Sequence, residues 1–285
     1  MALTPRQRHL SGFAAAEVEA ALATPTDLGA AAFFDVDNTM VRGASLYWFA
    51  RGLVSRRYVT LGDMLHFAWS QAKFRILATE HNGDMVNAKE AALAFVKGWR
   101  VEDLGNLSEE IFDELMAERI WSGTHALAQL HLAAGQRVWL VTAAPIELGR
   151  VIAQRLGLTG ALGTVAEIRN GVYTGRLDGD LLHGPAKAEA IRVLAEAEGL
   201  DLTRCTAYSD SANDIPMLSS VGHAVAVNPD GALRREARRR NWEVRDFRTG
   251  RKAAKVAIPA TLGLGIAVGA AVIGTAVVRR ARRSS

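Results

Sequence analysis

Two carboxylates stand two residues apart in the segment FFDVDNTM, residues 33–40. The apolar run before Asp35 has the composition of a buried strand in a parallel sheet. We expect this strand to end at Asp35, at the edge of the sheet where such folds bind ligands. Asp35 and Asp37 together would suit a magnesium ion with room for a phosphate. The alternative is that Asp37 and the residues after it only cap the next helix.

Polar residues also follow the later apolar runs of the chain. Thr142 lies in LVTAAP, and Lys187 lies near the start of the helix that follows HGP. Asp210 ends the run TAYSD, and Asn213 and Asp214 come directly after it. Because a parallel sheet gathers the ends of its strands into one crevice, these side chains are expected to share a site.

The elements that must position these residues alternate after Gly135. The pattern predicts strands at RVWLVTAA, CTAYSD and HAVAVNPD, helices at IELGRVIAQRLGL, PAKAEAIRVLAEAEGL and NDIPMLSSV, and a hairpin with an Asn-Gly turn at 170–171. Residues 41–130 show only helical periodicity. The predicted fold class is therefore α/β, with a Rossmann-like parallel sheet and a helical insertion after its first strand.

The predicted domains follow from this division. A helical extension is predicted at 1–27, a catalytic core at 28–40 and 131–250, and an inserted helical cap at 41–130. The chain of 285 residues is long enough for this core and cap.

The ordered set DVDNT, the threonine of VTAAP, Lys187 and SDSANDIPML resembles the haloacid dehalogenase superfamily of phosphohydrolases. The resemblance covers about residues 31–247. The helical insertion looks like the cap of subfamily IB, the branch that includes phosphoserine phosphatase. The resemblance implies a phosphatase that depends on Mg²⁺ and forms an aspartyl-phosphate intermediate.

The resemblance also implies roles for the three acids nearest the reaction. Asp35 would attack phosphorus, and Asp37 would protonate the leaving oxygen and then activate water. Asp35, the main-chain carbonyl of Asp37 and the carboxylate of Asp210 would hold the magnesium ion.

The remaining motif residues would act around the phosphate. Thr142 and Lys187 would bind its oxygens, although Arg192 is a rival for the lysine role. Asn213 would support the loop or the phosphate. Asp214 would orient either Lys187 or a metal-bound water.

The substrate is less clearly marked. Phosphoserine phosphatases place a glutamate nine residues after the nucleophile, where it reads the amino group, and here that position is Ala44. We expect a lipid-related or small metabolite phosphate, with phosphoserine as an alternative. A second alternative is a membrane-anchored binding or regulatory protein that has lost catalysis.

The segment 256–278 contains 23 residues without a charge. As a helix it would be about 34 Å long, which is enough to cross a bilayer. We expect a single-pass C-terminal anchor with a basic tail at 279–285. Both flanks are basic, so charge does not settle its orientation. The N-terminus shows no export signal, so the catalytic part is expected in the cytoplasm. Gly265 and Gly269 form a G-x-x-x-G pattern that would allow a homodimer through this helix.

The charge of the chain is uneven. From Leu233 onward there are 14 Lys and Arg against 3 Asp and Glu, whereas the rest carries 20 against 27. The acidic main body argues against a nucleic-acid partner. Cys205 is the only cysteine, which excludes an intrachain disulfide.

Overall fold

The computed structural model describes residues 27–58, residue 62 and residues 96–248. Internal contacts divide the chain into two units, Met1–Asp246 and Phe247–Ser285, and the fold below is that of the first. Nearly all of the predicted N-terminal extension, the middle of the predicted cap, and the predicted membrane segment with its G-x-x-x-G pattern lie outside the described residues.

Six parallel strands form the central sheet. Their bounds are β1 Ala31–Asp35, β2 Arg137–Pro145, β3 Gly160–Thr164, β6 Thr206–Ser209, β7 His223–Val227 and β8 Glu243–Arg245. Their order across the sheet is β3-β2-β1-β6-β7-β8. Strand β1 lies between β2 and β6, pairing with both in parallel. The prediction of a parallel α/β sheet is thus confirmed.

Strand β1 is apolar along its whole length because both of its faces are covered. All five of its residues are buried, and the Phe33 and Phe34 side chains are fully enclosed. Burial of two aromatic side chains is among the larger favourable terms available to one strand. The strand ends at Asp35, as its sequence predicts.

Seven α-helices are found in the part of the chain that the structure describes. Their bounds are α1 Ser45–Ser55, α2 Val101–Ile111, α3 Ser122–Ala133, α4 Ile146–Arg155, α5 Pro185–Glu198, α6 Ile215–Ser219 and α7 Gly231–Arg239. Helix α5 has proline at its first position, where no intrahelical N–H bond is lost. Gly199 follows its last residue, and its φ of 63° is the left-handed conformation that glycine adopts readily after a helix.

A two-stranded hairpin stands apart from the main sheet. It joins β4 Ala166–Arg169 to β5 Val172–Leu177, with Asn170 and Gly171 both at positive φ, as a two-residue hairpin turn requires. The predicted Asn-Gly turn is therefore confirmed. The Tyr173 main chain also exchanges hydrogen bonds with Gly98 and Trp99, at 2.9 Å each.

Helix α3 packs on the sheet. It contacts β1 and β2. The Nε2 atom of His131 lies 2.7 Å from the Tyr208 hydroxyl of β6. The predicted boundary between cap and core at residue 130 falls inside this helix. By packing, the whole of α3 goes with the core.

Helix α7 and strand β8 add to the sequence-based picture, because no element was predicted between the HAVAV strand and the segment 256–278. Strand β8 extends the sheet by pairing with β7. Within the described ranges, none of the helices has the length and apolar character needed to cross a bilayer.

Candidate active site

The site lies at β1, where the order of the strands across the sheet reverses. From β1 the chain moves outward through β2 and β3 on one side, and through β6, β7 and β8 on the other. In parallel α/β sheets, ligands bind in the crevice beyond the carboxyl ends of the strands at the point where the strand order reverses, which is called the switch point. Asp35 stands at that end of β1 with only 5% of its surface exposed.

A buried lysine joins two of the predicted acids. The Nζ atom of Lys187, in the first turn of α5, donates to Asp35 Oδ1 at 2.6 Å and to Asp214 Oδ2 at 2.9 Å. All three side chains are less than a tenth exposed. A buried charge without a partner is expensive, so each member of this cluster depends on the others. Arg192, the rival to Lys187, instead pairs with Glu189 on the same helix.

The burial of these groups changes their acidities. Burial raises the pKa of Asp35 to about 8, against the lowering effect of the Lys187 ammonium. Burial also lowers the pKa of Lys187, but the Asp35 and Asp214 carboxylates outweigh it, so the pKa of this lysine lies above its usual range. The Lys187 side chain is therefore charged.

The loop after β6 is held by hydroxyl and carboxylate groups. Ser209 Oγ donates to Asp214 Oδ2 at 2.7 Å and accepts from Ser211 N at 3.2 Å. Asp230 caps α7, and its Oδ2 atom accepts from Ala212 N at 3.0 Å. These contacts fix the backbone that carries both Asp210 and Asp214.

The side chain of Asp37 contacts the first residue of α1, although Asp37 itself precedes that helix in the chain. Its Oδ1 atom accepts a hydrogen bond from Ser45 N at 2.8 Å. Asn38, at a φ of 57°, closes the intervening loop, since its Oδ1 accepts from Gly43 N at 3.0 Å. The alternative interpretation, in which Asp37 caps the next helix, therefore corresponds to a real contact of this side chain. It does not exclude chemistry, because a carboxylate has a second oxygen.

Asp210 is suited to a cation. It is mostly buried, and burial raises its pKa to about 7. Thr39 Oγ1 lies 3.5 Å from its Oδ1 atom, and no basic side chain within the described ranges pairs with it. A divalent cation would favour the charged forms of Asp35 and Asp210. Two carboxylates and a main-chain carbonyl fit magnesium, which keeps several waters. No cluster of three or more His, Cys, Asp or Glu side chains that could hold a metal occurs among the described residues.

Among the described residues, neither of the other two predicted side chains, those of Thr142 and Asn213, forms a hydrogen bond with the Lys187 cluster. Thr142 is buried near the end of β2, and its Oγ1 accepts from Ala144 N at 3.1 Å. Asn213 is exposed, and its main-chain N–H donates to Ser211 Oγ at 3.2 Å. Among the described residues, no hydrogen bond joins the Asn213 side chain to Lys187 or its two carboxylate partners.

Sequence reasoning missed three residues that support the site. Ser209 precedes Asp210 in the motif, and its hydroxyl could have been suspected from that position. Asp230 precedes the helical pattern GALRREARR, which is a capping signal. Nothing in the local pattern indicates that Ser45 N binds Asp37, because that contact depends on how the loop closes.

Comparison with known proteins defines the class. A profile of the haloacid dehalogenase-like hydrolases matches residues 32–219. The chain belongs to this family. The match spans the strands and helices that carry Asp35, Lys187 and Asp214.

Particular relatives agree with this assignment. The chain is 59% identical over 248 residues to a putative hydrolase of Mycobacterium leprae, covering 87% of this chain and 83% of that protein. It is 58% identical over 246 residues to phosphoserine phosphatase SerB1 of Mycobacterium tuberculosis, covering 86% and 80%. A solved structure of a protein of unknown function from Bordetella pertussis matches with a TM-score of 0.67 and 28% identity, covering 76% of this chain and 98% of that one. The protein is a phosphatase of the haloacid dehalogenase family.

Proposed function

We propose that this phosphatase hydrolyses phosphate monoesters in two displacements through an aspartyl-phosphate on Asp35. The single observation that carries the proposal is the buried Asp35 carboxylate at the switch point of the sheet, held 2.6 Å from the Lys187 ammonium. A carboxylate in that place can act as a nucleophile, and covalent catalysis divides one difficult displacement into two easier ones.

In the first displacement, an Asp35 oxygen forms a bond to phosphorus while the bond from phosphorus to the ester oxygen breaks. Asp37 gives its proton to that leaving oxygen, so the alcohol departs neutral. The oxygen of Asp37 that accepts from Ser45 N is occupied, and the proton therefore travels on Oδ2.

In the second displacement, water attacks the phosphorus of the aspartyl-phosphate. Asp37 takes a proton from that water, and the bond from phosphorus to Asp35 breaks. Inorganic phosphate leaves, and the Asp35 carboxylate and the protonated Asp37 are both restored.

The other residues act on charge and position. Lys187 would stabilise the negative charge of the transferring phosphoryl group, with Thr142 and Asn213 as further phosphate ligands. Asp214 is assigned as a positioning residue, because its carboxylate accepts a hydrogen bond from the Lys187 ammonium. Asp35, the main-chain carbonyl of Asp37 and Asp210 would hold Mg²⁺. Bound magnesium would offset the repulsion between the Asp35 carboxylate and the phosphate dianion.

The test is phosphate release by the full chain, purified in mild detergent, from a panel of phosphate monoesters with and without Mg²⁺. The panel includes para-nitrophenyl phosphate as a generic ester. Asp35→Asn should lower release by roughly three or more orders of magnitude, since it removes the nucleophile. Asp178→Asn, at an exposed carboxylate outside the site, is the matched control. Release by the Asp35 variant equal to that of the parent would exclude the covalent route.

Phosphoserine is a specific substrate candidate because the relative SerB1 is named a phosphoserine phosphatase. Ala44 opposes it, since an alanine cannot bind an ammonium group. The same panel should therefore contain phosphoserine, glycerol phosphate and a short-chain lysophosphatidate. The ester with the highest kcat/KM identifies the class, and negligible release from the lipid ester would remove the lipid-related alternative.

We also propose that residues 256–278 anchor the enzyme in a membrane, with the catalytic part in the cytoplasm. The support is the sequence alone, 23 uncharged residues between basic flanks. The full chain should remain in the membrane fraction after an alkaline carbonate wash, whereas a chain shortened before residue 256 should not. Crosslinking in membranes, with Gly269→Leu as the control, tests the proposed homodimer.

A further inference from the structure

An arginine–tryptophan cluster lies beside the loop that carries Asp37. We use this name for Arg42, Arg51, Arg119, Trp48 and Trp121. The Arg119 guanidinium carbon is 3.5 Å from the centre of the Trp48 ring, and that of Arg51 is 5.7 Å from it. The Arg42 guanidinium carbon is 5.6 Å from the centre of the Trp121 ring.

Hydrogen bonds attach this cluster to the catalytic loop. Trp48 Nε1 donates to Arg42 O at 3.2 Å, which lays the indole edge against residues 42 and 43. Gly43 in turn is bonded to Asn38, the residue after Asp37. Three residues beyond Arg42, Ser45 N donates to Asp37 Oδ1. The cluster is therefore joined, through the main chain of residues 42–45, to the loop that carries the group that would protonate the leaving oxygen.

The cluster carries positive charge that no carboxylate of the described residues neutralises by an ion pair. Within the described ranges, no carboxylate forms an ion pair with Arg42, Arg51 or Arg119, whereas nearby Arg56 pairs with Glu110 and Glu114. The guanidinium groups that do bond to protein bond to main-chain carbonyls, as Arg42 does to Glu118 O and Arg119 O. Carbonyl bonds fix an arginine in place and leave its charge uncompensated.

The phosphate site itself has the opposite character. It contains the carboxylates of Asp35, Asp37, Asp210 and Asp214. Among the described residues, the basic side chain that pairs with any of them is Lys187, which contacts Asp35 and Asp214. A leaving group with its own negative charge would be repelled there unless separate cations received it. Planar guanidinium groups suit this task, because they bind carboxylate and phosphate in a bidentate way.

We propose that the arginine–tryptophan cluster binds the leaving group of the ester and selects leaving groups that carry a second negative charge, such as a carboxylate. The subsite rests on the proposed function, since a leaving group exists only if the enzyme cleaves phosphate monoesters. A leaving group bearing only an ammonium is disfavoured there. Ala44, small and exposed at the start of α1, supplies no carboxylate to receive it.

Three small esters separate the possibilities. 2-Phosphoglycolate carries a carboxylate, O-phosphoethanolamine carries an ammonium, and glycerol phosphate carries neither. For the full chain with Mg²⁺, the kcat/KM value of the carboxylate ester should exceed that of the ammonium ester by at least tenfold, with glycerol phosphate between them. A ratio near one, or below it, while glycerol phosphate is hydrolysed would overturn the subsite and leave the phosphatase proposal standing.

Variants locate the effect in the cluster. Arg119→Gln should reduce the ratio between the two charged esters several-fold, mainly by weakening the binding of the carboxylate ester and so raising its KM. Arg51→Gln is the second variant, because among the described contacts Arg51 is held only by Trp48, so the fold is expected to tolerate it. Ala44→Glu should lower the ratio further by placing a carboxylate beside the arginines. Arg238→Gln, at an exposed position on α7, is the matched control and should keep the parent ratio.

Each result has one meaning. A ratio that is tenfold in the parent and unchanged in Arg119→Gln, Arg51→Gln and Ala44→Glu would place the selectivity elsewhere and overturn the proposal. No release from any ester, para-nitrophenyl phosphate included, would overturn the proposed function, and the subsite with it.

Discussion

Asp37 belongs to the catalytic loop, and its side chain is also hydrogen-bonded to the first helix of the insertion. Its Oδ1 atom accepts from the N–H of Ser45, the first residue of α1. The N-terminus of a helix favours a negative charge, which adds to that bond. The orientation of the acid–base group therefore depends on where α1 begins.

Ser45→Pro tests this dependence by removing the Ser45 N–H that donates to Asp37. Proline is tolerated at the first position of a helix, and Ala44 has the extended backbone that a residue before proline prefers, with φ −83° and ψ 123°. The substitution removes the donor and displaces the Asp37 carboxylate. We expect kcat to fall by about 10- to 100-fold with a smaller change in KM, as steady-state kinetics would measure.

Ser45→Ala provides the comparison for that variant. It keeps the N–H and removes only a buried hydroxyl that has no hydrogen-bond partner among the described residues. Its kcat should change much less than that of Ser45→Pro. Equal losses in both variants would show that the N–H to Asp37 does not matter.

At the scale of elements, α1 and α2 approach closely at a glycine. A Cβ atom placed on Gly52 would lie 2.5 Å from Cγ1 of Ile111, which is fully buried. Gly52→Ala should lower the free energy of unfolding by about 1–3 kcal/mol, because overpacking outweighs the gain in helix propensity. Urea denaturation would measure the change.

Gly105 in α2 is the matched control, because a Cβ there would meet nothing within 4 Å. Gly105→Ala should raise the free energy of unfolding by about 0.5–1 kcal/mol, through helix propensity alone. Stabilisation by both alanines would mean that the two helices do not pack as described.

Helix α3 is attached to the sheet through a histidine that titrates. His131 contacts the Tyr208 hydroxyl, Gln136 Oε1 and the edge of the Phe34 ring. Burial lowers the pKa of His131 below its ordinary value of 6.5. The unfolded chain therefore binds a proton at a higher pH than the folded chain does, so this residue makes stability fall as the pH falls below about 6.5.

The corresponding measurement is the urea midpoint at pH 7.5 and at pH 5.5. The parent should lose more stability between these values than His131→Gln, which keeps a polar side chain but cannot titrate there. If the variant loses as much as the parent, other groups account for the acid sensitivity.

These elements show what the sequence could and could not predict. The end of β1 at Asp35 and the Asn-Gly hairpin follow from local composition, so both were predicted. Asp35, Lys187 and Asp214 were predicted from a motif, and the structure places their three side chains in contact; their catalytic roles stay predictions. The support of Asp214 by Ser209, and the packing of α3 on the sheet, depend on tertiary contacts that no local pattern contains. For the same reason, local pattern did not reveal that the predicted cap boundary at residue 130 falls inside α3.

At the scale of the whole molecule, a bound metal should stabilise the fold. Asp35 and Asp210 belong to different, neighbouring strands, β1 and the end of β6, so a cation held by both would link distant parts of the chain. A ligand that binds only the folded state stabilises it by about 2.7 kcal/mol at a hundredfold excess over Kd. We expect Mg²⁺ to raise the midpoint of thermal unfolding in the parent, as calorimetry would measure.

Asp210→Asn is the variant for that experiment, since it removes a proposed ligand and keeps the shape of the side chain. The effect of Mg²⁺ on its unfolding midpoint should be much smaller than in the parent. An equal rise in both proteins would assign the stabilisation to ions bound elsewhere.

The buried ion pair between Asp35 and Lys187 joins residues that are 152 positions apart in the chain. At about 5–20 residues per second, a ribosome needs roughly 8 to 30 s to add the residues between them. During that interval the nascent first strand has neither its β6 neighbour nor the ammonium that compensates its terminal acid. Strand β2 is synthesised earlier and can pair with one edge of β1, but the other edge of this apolar strand stays open until β6 has been made. An open apolar edge of this kind makes the early chain prone to aggregation and suited to binding by chaperones.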